Sequence, residues 1–167
     1  MVVSVPTAGF FESNILSLML SSLGLSRGLA DLVLVVALAP FIEEFAKAIP
    51  LAYRHGETQR SLMTMGFLVG LGFGIIEFIE YVFVGDVFFV YRIPGVFFHA
   101  VSTSIVGHGI AEKKPLRFYL IAVGLHALNN IIAVTIPFFS LILLVFVAAV
   151  YYWYYLYERT PETVIPY

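Results

Sequence analysis

The sequence predicts an all-α, polytopic membrane helix bundle with five to six hydrophobic helices, and three observations carry that reading. Of the 167 residues, 60% are apolar and 16% aromatic. Only 12% are charged, about half the roughly 25% of an ordinary soluble domain. Mean hydropathy is +0.96. A water-soluble globule of this size needs more polar surface than that. The composition equally excludes a disordered or collagen-like chain, and the absence of Cys excludes a disulfide scaffold. Net charge is −2 with no basic stripe, so nucleic acid is not a partner. The lipid bilayer is.

A spanning helix takes about 20 residues, so the helices account for most of the chain. Residues 1–167 therefore read as a single transmembrane helical domain with no room for a separate soluble one. The opening MVVSVPTAG lacks the positive region of a secretory signal, and the whole chain is read as mature.

The apolar runs predict helices at about 10–25, 28–54, 62–84, 94–111, 116–135 and 137–157. The first, FFESNILSLMLSSLGL, has 16 residues and carries Glu12, which suits an interfacial helix as well as a spanning one. Glu12 is expected to reach the interface. The breaks are RHGETQR, VGDVFFVYRIP, AEKKPLR and the charge-free turn at Ile136-Pro137. Pro40 and Pro50 fall inside the second helix, where neighbours or local unwinding must satisfy the backbone groups they free.

Basic residues predict the orientation. With one crossing between breaks, Arg54, Arg60, Lys113, Lys114, Arg117 and Arg159 share one side, opposite Arg27 and Arg92. The positive-inside rule places that side, and the C-terminus, in the cytoplasm. Tyr151, Tyr152, Trp153, Tyr154 and Tyr155 suit an aromatic belt there, although a merely aromatic last helix reads the same. Gly66, Gly70 and Gly74, with Gly72 beside them, make a smooth face for a second helix backbone.

An ionisable residue at membrane depth costs about 2.5–3.5 kcal/mol on insertion scales, so each needs a reason. Here Glu43, Glu44 and Lys47 share the second helix, Glu77 lies in the third, His99 in the fourth, and His126, Asn129 and Asn130 in the fifth. Plain interhelical polar contacts would favour Ser, Thr and Asn over this concentration of Glu with His. Lys47 is three residues from Glu44 and four from Glu43, so it can neutralise either carboxylate from the same helix. Spacing does not choose between them. His126 and Asn130 share a face, and His99 has Ser102 and Thr103 on its own. A carboxylate base, an imidazole and clustered donors are what amide hydrolysis requires. His55 and His108 read as a solvated loop residue and a packing residue. Glu80 lies near the outer end, outside the site.

The stretches APFIEEFAK, GFLVGLGFGIIEFIEY, PGVFFHAVSTSIVGHG and GLHALNN, in that order from Ala39 to Asn130, resemble the PrsW family of intramembrane proteases. That family lies within the wider CAAX-protease and bacteriocin-processing superfamily. The resemblance implies that Glu43, Glu44, His99 and His126 are catalytic, with Asn130 assisting through H-x-x-x-N. Lys47 stands one place earlier than the basic residue of the wider group's E-E-x-x-x-R pattern. Gly95 replaces a preferred Phe, and Phe78 replaces an Asn common after the third-helix Glu. These departures point away from processing of prenylated substrates.

The expected mechanism is attack on a peptide carbonyl by water activated by Glu43, held with His99, while Glu44 pairs with Lys47. His126 and Asn130 are expected to stabilise the oxyanion, and Glu77 is a further candidate at depth. This division of Glu43 and Glu44 comes from the resemblance. The implied partners are membrane-anchored, single-pass protein substrates, and the mechanism needs no cofactor. Rival readings are a zinc-dependent protease using the same His and Glu side chains, a proton-coupled transporter, and a non-enzymatic scaffold that binds transmembrane helices.

Overall fold

A computed structural model describes residues 4–52, 58–85, 88–135 and 139–164. Arg54, His55, Asp86 and the expected turn at Ile136-Pro137 lie outside them. Among the described residues the fold is all-α, without strands, and four helices are long and apolar enough to cross a membrane. It is an all-α membrane bundle, as the composition predicts.

Helix α1 (Ser4–Ser21) packs through Ala8 and Val5 on Ala46, Ile42 and Phe73. It begins and ends earlier than the apolar run suggested. The second run is continuous from 27 to 52 but changes winding. Helix α2 (Arg27–Val33) passes into a π turn (Leu34–Leu38) and then into α3 (Ala39–Ala52). At 1.5 Å per residue the run reaches roughly 40 Å, enough to cross a hydrocarbon core.

The π turn ends two residues before Pro40 and is local unwinding of the kind the prolines called for. Ala39 donates its backbone N–H to Leu34, five residues back, rather than to Val35. Pro40 has no N–H to offer. Neither winding therefore supplies a backbone donor to the Val35 carbonyl.

Helix α4 (Gln59–Phe83) starts at Thr58, whose side chain accepts from the Ser61 N–H. It runs antiparallel to α5 (Ile93–Ala111), the most buried helix, which opens with Pro94 where no helical bond is lost. A Cβ on Gly66 would lie 2.6 Å from the Thr103 carbonyl oxygen, and one on Gly74 2.7 Å from the Val96 Cα. One on Gly70 would collide with the His99 carbonyl. From the other side, a Cβ on Gly107 would sit 2.5 Å from the Leu62 carbonyl oxygen. The two backbones touch along the whole glycine face, which fixes where His99 sits.

A tight turn with Lys113 at φ 57° leads to α6 (Pro115–Thr135), and α7 (Phe139–Arg159) closes the bundle. Val145, Ala149 and Leu156 of α7 pack with Met63, Val101, Ile105 and Phe118. The aromatic run of α7 divides. Tyr151, Tyr154 and Tyr155 face outward, while the Trp153 indole donates to Ser104 Oγ at 2.8 Å.

Arg60, Lys113, Lys114, Arg117 and Arg159 gather at one end. Arg60 pairs with Glu162 at 3.0 Å, Thr58 bridges to Val164, and His108 Nδ1 lies 2.9 Å from Thr160 Oγ1. The start of α4, the end of α5 and the chain beyond α7 therefore meet there. His108 is a tie between helices, stacked edge-on against Phe118. At the opposite end lie Gly85, Arg92 and the C-terminal turn of α6.

Candidate active site

Four helices converge their ionisable side chains inside the bundle. Glu43, Glu44 and Lys47 come from α3, Glu77 from α4, His99 from α5 and His126 from α6. Lys47 and Glu44 are fully buried, and Glu43, His99 and His126 nearly so.

Lys47 resolves what spacing left open. Its Nζ lies 2.7 Å from Glu44 Oε1 and 2.8 Å from His99 Nδ1. It sits 4.7 Å from the centre of the Phe73 ring. An ammonium only donates, so His99 Nδ1 accepts and His99 Nε2 carries the proton. That Nε2 lies 2.7 Å from Glu77 Oε2, which also accepts from Arg92 at 3.1 Å. Glu77 is thus the partner that orients His99, and no direct bond joins His99 to Glu43.

Glu44 Oε1 gathers three donors: Lys47, Ser102 Oγ at 3.1 Å and His126 Nδ1 at 3.0 Å. A carboxylate beside an ammonium accepts, so His126 Nδ1 holds the proton and Nε2 presents a lone pair. That lone pair faces Glu43 Oε2 across 3.9 Å, and Glu43 Oε2 is buried without a hydrogen-bond partner. The gap is too long for a direct hydrogen bond and suits one bridging water or cation.

Glu43 stands where two adjoining cavities meet. One, of about 250 Å³, is lined by Glu43, His99, His126, Asn129, Asn130 and Arg92. The other, of about 350 Å³, is lined by Glu12, Glu43, Glu77 and Glu80 and reaches Gly85. Both lie toward the end of the bundle opposite the basic loops. Glu12 therefore faces the cavity rather than an interface, because α1 lies against α3 and turns that side inward. Asn130 lines the cavity and donates its amide to the Val35 carbonyl at 2.9 Å.

Sequence reasoning missed Glu12, Arg92 and Ser102 as neighbours of the site. Arg92 had a signal, being a cation opposite the basic loops and about two helix turns from His99. Ser102 had a weaker one, on the face of His99. Glu12 had none beyond its presence in an apolar run.

The profile of the PrsW family, described as intramembrane metalloproteases, matches residues 1–156. The chain belongs to the PrsW family. No curated protein and no solved structure matches it. Every side chain of the buried cluster lies inside the region shared with the PrsW family. Membership makes this an integral membrane protease, a peptide-bond hydrolase whose substrate is a protein in the membrane.

The description of PrsW proteins as metalloproteases raises the question of a metal. Glu43, His99 and His126 offer ligand atoms that all lie within 4.8 Å of one another. Glu43 Oε2 has no partner, and the His126 Nε2 lone pair faces it. Two His and a carboxylate fit a divalent cation such as zinc in kind and number, with His99 giving up its bond to Lys47 or Glu77 to take part. Glu44, behind His126 Nδ1, stands where a carboxylate orients a metal-binding imidazole.

Proposed function

We propose that this protein is an intramembrane endopeptidase that cuts single-pass membrane proteins with water activated by Glu43. The observation that carries the reading is the unpartnered Glu43 Oε2, buried at the cavity wall and facing His126 Nε2. In this reading a water sits between them, donating to both. Glu43 takes one proton as the water oxygen attacks the carbonyl carbon. The tetrahedral intermediate expels the amine, to which Glu43 returns the proton, leaving new carboxyl and amino termini.

Other side chains hold this pair in place. Glu44, pinned by Lys47 and Ser102, fixes the His126 tautomer so that Nε2 points at the water. Glu77 and Lys47 fix the His99 ring, which meets the His126 ring edge-on at 5.1 Å. His126 and Asn130 were expected to share the oxyanion. The contacts favour other roles, with His126 Nε2 accepting from the water and the Asn130 amide donating to Val35.

A metal-assisted reading is favoured by the Glu43, His99 and His126 group. Those three residues would hold the ion, and a bound zinc would supply Lewis-acid activation of water. In either case the chain's own work is to orient His126, exclude bulk water and keep other protein groups off Glu43 Oε2.

The positive-inside rule assigns the basic end to the cytoplasm. The cavities lie toward the other end, so the scissile bond belongs near the outer boundary of the bilayer. The test is incubation of purified protein in liposomes with a single-pass peptide in ¹⁸O water. One new carboxylate carrying a single ¹⁸O supports hydrolysis. An intact peptide that stays bound supports the scaffold instead.

A further inference from the structure

We infer that Asn130 is a positioning residue that acts through the Val35 carbonyl, holding the π turn that aims Glu43 and Glu44 at His126. The inference rests on the protease reading for its effect on turnover, and on the helix geometry alone for its effect on the fold.

The Val35 carbonyl is left without a backbone donor by two separate facts. The α-helical donor would be the Ala39 N–H, which goes to Leu34 instead. The π-helical donor would be residue 40, which is proline. Val35 and Asn130 both line the cavity, so a carbonyl that lacks a backbone donor must take one from a neighbouring helix or from water there. Asn130 Nδ2 supplies it from α6 at 2.9 Å.

The consequence reaches the site through helix geometry. Each residue turns an α-helix by about 100°, and a π turn inserts one residue into that count. Closing the π turn to α winding would rotate Glu43 and Glu44 by roughly that angle relative to α2. His126 lies four residues before Asn130, one turn away on the same face of α6. The Asn130 amide thus fastens the helix that carries His126 to the turn that sets the direction of both glutamates.

Pro40 makes the idea testable. Replacing it with alanine restores an N–H that can bond the Val35 carbonyl while the π turn, and with it the direction of Glu43 and Glu44, is kept. Pro40→Ala should therefore make Asn130 dispensable. Wild type, Asn130→Ala, Pro40→Ala and the double variant are compared for peptide cleavage, peptide binding and melting temperature. Asn130→Ala is expected to lower kcat at least about tenfold with binding within threefold, and to lower Tm by about 3 °C. Pro40→Ala should cleave within about threefold of wild type, and the double variant should recover both kcat and Tm to the level of Pro40→Ala.

A double variant as inactive as Asn130→Ala, while Pro40→Ala is active, overturns the inference and makes Asn130 a donor to substrate. Loss of activity in Pro40→Ala alone, or full activity in Asn130→Ala, overturns it as well. If Asn130→Ala folds too poorly to assay, joint recovery of folded yield and turnover in the double variant supports it, and no recovery overturns it. Should wild type cleave nothing, the protease reading fails, while the coupling of Tm between positions 40 and 130 still decides this inference.

Discussion

His126 Nε2 and Glu43 Oε2 face each other across 3.9 Å, while the other nitrogen of the same imidazole is held 3.0 Å from Glu44 Oε1. Two neighbouring glutamates on one helix thus meet the two ends of one histidine. Glu44 gathers three donors on Oε1, whereas Glu43 Oε2, facing the same ring, has none. This asymmetry divides their roles, and each expectation below tests a part of it.

Glu44→Gln removes the anion that Lys47, Ser102 and His126 share. An amide oxygen still accepts, but the Lys47 ammonium is left without a counter-charge at zero exposure. Breaking a buried pair this way costs roughly 3–5 kcal/mol. Thermal unfolding in detergent should show a large fall in Tm along with loss of cleavage. An unchanged Tm would show that Lys47 does not depend on Glu44.

Gly70→Ala tests the helix contact behind His99. Its Cβ would collide with the His99 carbonyl, so α5 must shift. Overpacking of this kind costs about 1–3 kcal/mol, and activity should fall with it. Gly124→Ala, whose Cβ meets nothing within 4 Å, should be neutral or slightly stabilising. Equal behaviour of the two variants would contradict the close approach of α4 and α5.

The pairing of Lys47 shows where sequence reasoning stops. The apolar runs place Glu43, Glu44, Lys47, His99 and His126 at depth on three helices, and their gathering into one cluster follows. Lys47 can reach either glutamate by spacing alone, and the choice of Glu44 is made by Ser102 and His126 from other helices. Glu12 and Arg92 escape for the same reason, since their neighbours depend on how α1 and α5 are turned. The α4 glycine face was legible because a period of four residues reports contact directly. The π turn was half legible: Pro40 required some unwinding, but nothing in the sequence placed it at Leu34–Leu38.

Sidedness is open to a labelling experiment, and the native chain has no Cys to interfere. Single cysteines at Lys113 and Glu162 should react with an impermeant reagent from the cytoplasmic side. One at Val84, 82% exposed near the opposite end, should react from outside. Labelling of all three from one side would overturn the proposed orientation.

Metal dependence is separable from water activation by Glu43. Cleavage should survive exhaustive dialysis against a strong chelator, with well under one zinc per chain by elemental analysis. Stoichiometric zinc, with activity lost on chelation and restored by zinc alone, would reassign Glu43, His99 and His126 as ligands.

The most direct test of the account is cleavage of a quenched single-pass peptide by Glu43→Gln. The substitution keeps shape and hydrogen-bonding capacity, removes the base and leaves the Glu44–Lys47 pair untouched. Turnover should fall at least about a hundredfold, the scale of general-base catalysis, with peptide binding and Tm preserved. Full cleavage by a well-folded Glu43→Gln protein would contradict the central claim and pass the role of base to Glu44 or Glu77.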